Sequence, residues 1–227
     1  MKKLILIPLL PVLVLSFPLL ASAKTVNFDS DKSGGVPKGW SAFMTHSGNV
    51  PQWEVLKDST APSKPNVLAQ ASSSESDNRF PLLIYDAANL KDGEVSVSLK
   101  PMSGRIDQGA GLVWRYKDPD NYYVVRANGL EDNVVLYKVD KGVRIPLAPK
   151  GDPANTYGVR HRVPNYVWST LRVTFNGPLF TVYMGKDKVF DVEDTTFTDT
   201  GKVGLWTKSD SVMSFDNFEF KDSSAKD

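Results

Sequence analysis

The residues of this chain best placed to do chemistry are basic, aromatic and amide side chains, not paired acids. Arg115 ends the run Gly111-Leu112-Val113-Trp114-Arg115-Tyr116, and Arg126 lies within Tyr122-Tyr123-Val124-Val125-Arg126-Ala127-Asn128, so a turn at 117–121 separates two guanidinium groups. With charged residues set outward, period-two alternation puts Val113 and Arg115 on one face with Tyr122, Val124, Arg126 and Asn128, and with Leu136 and Lys138 of the next run. Arg172, Thr174, Thr181 and Tyr183 extend that face if their strands are neighbours. The other phase, with Trp114, Tyr123, Val125, Tyr137, Leu171, Val173 and Phe175, becomes core. A surface of Arg115, Tyr122, Arg126, Asn128 and Lys138 suits a sugar: guanidinium and amide groups hydrogen-bond hydroxyls, while an aromatic ring covers the apolar face of a pyranose. The same charges would also simply solvate a sheet. Trp206, beside Lys208 and Asp210, is the first choice as a stacking platform and Trp40 the second, while Trp53, Trp114 and Trp168 read as core.

Other chemistries lack their residues. The closest approach to paired carboxylates, Asp191-Val192-Glu193-Asp194, reads as a solvated turn at a strand end. His46 and His161 are the only histidines and there is no cysteine, which leaves no zinc constellation. His161, between Arg160 and Arg162, could line a groove mouth or stand as an exposed loop residue. No Gly-x-Ser-x-Gly elbow, phosphate loop or dinucleotide fingerprint occurs. Whether the chain is an enzyme stays open on these grounds, with absence of catalysis the favoured reading.

The elements that must hold these residues are strands. Glu94-Val95-Ser96-Val97-Ser98-Leu99-Lys100 alternates cleanly, Asn133-Val134-Val135-Leu136-Tyr137-Lys138-Val139 is apolar enough for a central strand, and Asp140-Lys141-Gly142 turns it back. A long strand at 166–175 turns at Asn176-Gly177-Pro178 into Leu179-Phe180-Thr181-Val182-Tyr183-Met184. About a dozen short strands and no amphipathic helix predict two packed antiparallel sheets, a jelly-roll sandwich over residues 24–222, followed by a polar tail at 223–227. No fixed-period repeat suggests a propeller or solenoid.

Residues 1–23 read as a cleaved signal peptide: Lys2 and Lys3, an apolar run broken by Pro8, Pro11 and Pro18, then Ala21-Ser22-Ala23. The mature chain is expected in the periplasm or the medium, with no membrane span. Of 27 basic residues, 25 then remain against 26 acidic ones, so no electrostatic case exists for nucleic acid or an anionic membrane. The sequence leaves the oligomeric state undetermined. Without disulfides, stability must come from a hydrophobic core.

Three groups of residues also carry a resemblance: Phe28-Asp29-Ser30-Asp31 with Pro37-Lys38-Gly39-Trp40, Gly111 to Tyr116 with Asn121-Tyr122-Tyr123, and Gly204-Leu205-Trp206-Thr207 with Phe215-Asp216-Asn217-Phe218. With these the chain resembles the concanavalin A-like lectin/glucanase jelly rolls, and within them the bacterial secreted laminin-G-like and 3-keto-disaccharide hydrolase-labelled domains. The resemblance implies two antiparallel sheets, the concave one offering a groove for carbohydrate. It makes a secreted or periplasmic carbohydrate-binding module the leading expectation, with Arg115, Tyr122, Arg126, Asn128, Lys138 and Trp206 as ligand-binding residues. A sugar-cleaving enzyme of the same fold and an envelope protein-interaction domain are the alternatives. The Glu-x-Asp-x-x-Glu pattern of one catalytic subgroup is missing. The resemblance also implies a possible structural calcium near the chain ends, held by Asp29, Asp31 and Asp216 if the first and last strands pair. No other cofactor is expected.

Overall fold

In the computed structural model, residues 23–74, 76 and 78–223 are described. Nearly all of the expected signal peptide, and the tail beyond residue 223, lie outside them. Among the described residues there is no helix, so none is long and apolar enough to cross a membrane. The strands are β1 (Lys24–Val26), β2 (Trp40–Thr45), β3 (Trp53–Lys57), β4 (Asn66–Gln70), β5 (Phe80–Leu90), β6 (Gly93–Ser103), β7 (Gly109–Asp118) and β8 (Asn121–Asn128). They continue with β9 (Asn133–Asp140), β10 (Val143–Leu147), β11 (Val159–Arg160), β12 (Ser169–Asn176), β13 (Leu179–Met184), β14 (Asp187–Glu193), β15 (Gly201–Thr207) and β16 (Val212–Asp222).

They form two antiparallel sheets, the jelly-roll sandwich that the strand pattern predicts. The first runs β14-β13-β12-β6-β16-β4-β3, with β1 beside β16; the second runs β10-β9-β8-β7-β15-β5-β2, with β11 beside β9. Lys24 pairs with Phe220 and Val26 with Phe218, so the first and last strands do meet. Between the sheets lies a core that includes Leu83, Val95, Val97, Leu99, Leu112, Trp114, Tyr123, Val125, Leu136, Leu171, Val173, Phe175, Phe180, Leu205 and Phe215. Trp114 stacks on Tyr123 and Phe175, which locks the sheets together at one point.

The second sheet is buried on both faces. Its outward residues Leu82, Ile84, Val113, Tyr122, Val124, Val135, Tyr137, Val139 and Trp206 form a second apolar cluster with Phe80 and Tyr116. Continuous burial along β7 and β8 explains why their sequences hardly alternate. The cover comes from the sheet itself. In a flat sheet β10 and β5, five positions apart, would stand about 24 Å from each other. Yet the Arg144 guanidinium of β10 lies 4.8 Å from the Phe80 ring of β5 and 5.8 Å from the Trp206 ring of β15. The sheet has curled so far that its edges meet.

Hydrogen bonds close the roll. Thr45 Oγ1, at the end of β2, donates to the Pro119 carbonyl at 2.5 Å and lies 2.7 Å from the Tyr122 hydroxyl. His46 Nε2 is 2.7 Å from the carbonyl of Gly142 in the β9–β10 turn. That turn has two central residues at positive φ, Lys141 at 50° and Gly142 at 78°, the backbone a two-residue hairpin needs to match strand twist.

Candidate functional site

Among the described residues, two of the hollows that curling leaves on the concave face carry polar linings. One of about 470 Å³ is lined by Phe43, Tyr116, Lys117, Pro119 and Lys202 among others. The other, of about 340 Å³, is lined by His46, Asn78, Phe80, Gly142, Val143, Arg144 and Lys208. The second borders a buried polar network, to which the Tyr137 ring beside Arg144 connects it.

That network starts at Arg126, which is 1% exposed. Its guanidinium donates to the Tyr137 hydroxyl at 3.2 Å, Asn133 Oδ1 at 3.2 Å, Glu131 Oε2 at 2.8 Å and the Tyr157 hydroxyl at 3.0 Å. The Tyr137 and Tyr157 hydroxyls are 2.5 Å apart. Asn133 Nδ2 also donates to Glu131 Oε2, leaving Oε1 free to accept from solvent or a ligand. Burial alone would lower the Arg126 pKa, but the surrounding tyrosine hydroxyls and Glu131 raise it, so the cation is permanent. Burial would likewise raise the Glu131 carboxyl, yet the Arg126 bond and charge, with Asn133 and the charge of Lys208, bring it below its ordinary value.

The ring of the Tyr137 side chain links this network to the hollow, since Arg144 stacks 4.6 Å from it. On the far wall, Asn78 Nδ2 lies 2.7 Å from His46 Nδ1; with Asn78 donating, Nε2–H of the imidazole points to Gly142. Lys208 pairs with Asp107 at 3.0 Å, and Asp107 accepts from Asn128 Nδ2 at 2.8 Å. The loop holding Asp107 is pinned from below. Asp210 collects the backbone N–H groups of Arg105, Ile106 and Asp107, and these bonds outweigh burial and lower its pKa. Gly104 is obligatory in that loop because a Cβ there would sit 1.8 Å from the Asp107 carbonyl oxygen. Arg79, fully buried, donates to the carbonyls of Asn49 and Ser209 and to Ser72 Oγ, which anchors the chain next to Asn78 and Lys208.

The residues expected at the site divide. Tyr122, Arg126, Asn128 and Trp206 do lie on the concave side of the second sheet, but all are buried within it. Trp206 is a floor under Phe80 and Arg144, not an open platform. Arg115 lies elsewhere. A β-bulge after Trp114, with Arg115 at φ 49°, shifts the alternation by one residue and turns the side chain between the sheets, where it lies over Phe175 and Phe180. There it donates to the carbonyls of Lys91, Phe197 and Gly177 and to Asp92. Lys138 is on the opposite face from Arg126, because Tyr122, Val124 and Arg126 pair with Val139, Tyr137 and Val135. Its amine bonds Asp194 and Thr196. Arg115, Arg126 and Lys138 therefore share no hollow.

Several further placements differ from expectation. Tyr137, assigned to the core between the sheets, faces the concave side, and Leu136 takes its place. Arg172, Thr174, Thr181 and Tyr183 belong to the other sheet. Trp40 packs in the core against Phe28, Tyr85 and Phe218, whereas Trp168 is half-buried at an edge under Lys100. His161 stands in a loop with Nδ1 3.1 Å from the Arg162 carbonyl.

Asp29, Asp31 and Asp216 do not assemble as three metal ligands, and the described residues contain no group of three or more carboxylates and imidazoles able to hold an ion. Asp216 accepts from Ser63 N–H at 2.7 Å, from the Ser63 hydroxyl and from Asn217 N–H. Asp29 accepts from Asn66 N–H, and Asp31 contributes its backbone carbonyl to Asn66 Nδ2. Protons of the chain already occupy both Asp216 oxygens and Asp29 Oδ1, so the three side chains do not form an open ligand set for that ion.

Sequence reasoning gave no ligand role to Arg144, Glu131, Lys208 or Asn78, and it weighed His46 only as a zinc ligand. The one available signal was Arg144 in Val143-Arg144-Ile145-Pro146-Leu147, an alternating strand directly after a tight turn.

No known family model and no curated protein sequence matches the chain. Solved structures do resemble it. The carbohydrate-binding module CBM66 from Bacillus subtilis aligns with 85% of this chain and 99% of its own, at 16% identity and a TM-score of 0.61. The cellulose-induced protein Cip1 aligns over 88% of this chain and 97% of its own at 8% identity, with a TM-score of 0.59. The carbohydrate recognition domain of Emp47p aligns over 91% and 99% at 15% identity, with a TM-score of 0.53. At such identities the likeness is one of fold, the two-sheet jelly roll described above.

Proposed function

We propose that this protein is an exported carbohydrate-binding module, carried past the cytoplasmic membrane by its N-terminal segment and working in the periplasm or the medium. The ligand site is the 340 Å³ hollow together with Glu131 and Tyr157, which Tyr137 and Arg126 link to Arg144 in its wall. The observation that carries the reading is convergence: a rigid guanidinium, a carboxylate with a free oxygen, amides and exposed aromatic surface meet at one mouth of the concave sheet. Polyhydroxylated ligands need this mixture, since hydroxyls both donate and accept while the ring carbons seek an apolar face. Tyr157, 48% exposed and held by its hydroxyl and an edge contact with the Tyr137 ring, supplies that face. The fold shared with proteins described as carbohydrate-binding supports the same reading.

The carboxylates here suit binding better than bond cleavage. Glu131 is held ionised by Arg126 and so is not set up to deliver a proton, and Asp107 is tied to Lys208 and Asn128. The test is a glycan array followed by calorimetric titration of the hits. Tyr157→Ala, at a largely exposed residue, is expected to weaken binding roughly tenfold while the melting temperature stays within a few degrees, in keeping with about 1–2 kcal/mol for a stacking aromatic. An array without hits, or unchanged affinity in Tyr157→Ala, would remove the proposal.

A further inference from the structure

We infer that the 340 Å³ hollow is a subsite for an oxyanion substituent, a carboxylate or a sulfate ester, on the bound sugar. This rests on the carbohydrate-binding reading and narrows its ligand to acidic glycans.

The argument begins with Arg144. Its guanidinium lies 4.6 Å from the Tyr137 ring centroid, 4.8 Å from that of Phe80 and 5.8 Å from that of Trp206, a cation held by three aromatic rings. Rings satisfy a cation's attraction to π density but accept no proper hydrogen bond. Nη1 is buried and donates to no acceptor, and among the described residues no carboxylate pairs with the group. Asp120, behind the Gly142 turn, forms no ion pair with it. The contrast with the other buried arginines is sharp. Arg79, Arg115 and Arg126 each donate to three or more acceptors.

A partly desolvated guanidinium without a counter-charge is costly unless something supplies the missing acceptor. The remaining lining points the same way. None of the described residues lining the hollow carries a carboxylate, and Lys208 adds a second cation to its wall. Lys208 shares its charge with Asp107, which fixes the amine in place. Asn78 and the backbone at Gly142 and Val143 complete a polar rim suited to the rest of a sugar ring. An oxyanion seated here meets Arg144, with Lys208 nearby, and the low dielectric over the rings strengthens both attractions.

The experiment titrates a matched panel of oligosaccharides, neutral, uronate-bearing and sulfated, against the mature protein at low and at physiological salt. Acidic members are expected to bind roughly tenfold or more tightly than neutral ones, as charge-assisted hydrogen bonds to an arginine imply. That margin should shrink as salt rises. Uronate-only or sulfate-only preference tells which oxyanion is read, and either supports the inference. Arg144→Gln should bring acidic affinity down to the neutral level, and Arg144→Lys should recover part of it. If Arg144→Gln fails to fold by circular dichroism, Arg144→Lys and Lys208→Gln carry the test, and unchanged acidic preference in both overturns the inference. Equal affinity for neutral and acidic sugars overturns it too, leaving the carbohydrate-binding reading intact. Absence of binding by every member defeats both.

Discussion

At the scale of single residues, the arginines of this protein have distinct tasks that their neighbours assign. Arg126 is a positioning group for Glu131 and Tyr157, Arg144 is a half-buried cation whose Nη1 finds no acceptor among the described residues, and Arg115 is a strut that ties three loops to the sandwich. The strut gives a prediction. Arg115→Ala strands several buried carbonyls, so unfolding in urea should show a loss of about 3–5 kcal/mol. Titration of the folded fraction should show glycan affinity unchanged, because the side chain is remote from the hollow. The guanidinium pair on the 109–128 segment was legible as a pair of chemical groups. Their divergence was not, because the bulge that turns Arg115 inward carries no glycine to mark it and rests on a non-glycine residue at positive φ.

Among the elements, the second sheet matters most, and its defining property is curl. Its edge strands meet through Thr45, His46 and Gly142, which separates the hollows of about 470 and 340 Å³ on the concave face and sets the size of the candidate site. Gly142→Ala tests this. A side chain at φ 78° is strained, and its Cβ would lie 3.2 Å from Asp120 Oδ1. With about 1–2 kcal/mol of strain, the melting temperature should fall by roughly 2–8 °C in a scanning experiment, and binding at the hollow should weaken because His46 loses its seat. An unchanged melting temperature would mean that the closure contributes nothing to the roll. The hairpins themselves were readable in advance: Asp140-Lys141-Gly142 and Asn176-Gly177-Pro178 are turn chemistry, and both turns are found. Parity along β9 was unreadable, since an apolar run buried on both faces offers no alternation from which to choose between Tyr137 and Lys138.

Considered as a whole, the molecule is a sandwich with one core between its sheets and another inside the rolled sheet, and its carboxyls set how this arrangement responds to acid. In Asp58, Glu131, Asp191, Asp194 and Asp210, burial on its own would raise the carboxyl, but hydrogen bonds and neighbouring cations lower it. Each contributes stability that is present above its unfolded value of about 4 and is lost as pH falls through the lower folded value. Asp31 and Asp216 have the opposite sign: burial raises them, for Asp216 with help from Asp29, so the native state holds their protons and gains on acidification. The larger group should prevail, with stability in urea declining once the pH drops below about 4. Asp194→Asn should flatten that decline, and Asp216→Asn should steepen it, because the wild type alone gains from protonating that carboxyl. A profile flat from pH 6 to 2 would contradict the assignment. The amino-acid sequence by itself determined the class of fold, the strand-rich sandwich, the pairing of the main turns and the basic and aromatic character of one sheet. These are local properties of alternation, propensity and turn geometry. Only the tertiary structure decided which arginine keeps a buried Nη1 without an acceptor among the described residues, because that depends on how far a sheet curls and on where a single bulge reverses the order of faces, and both follow from contacts between residues distant along the chain.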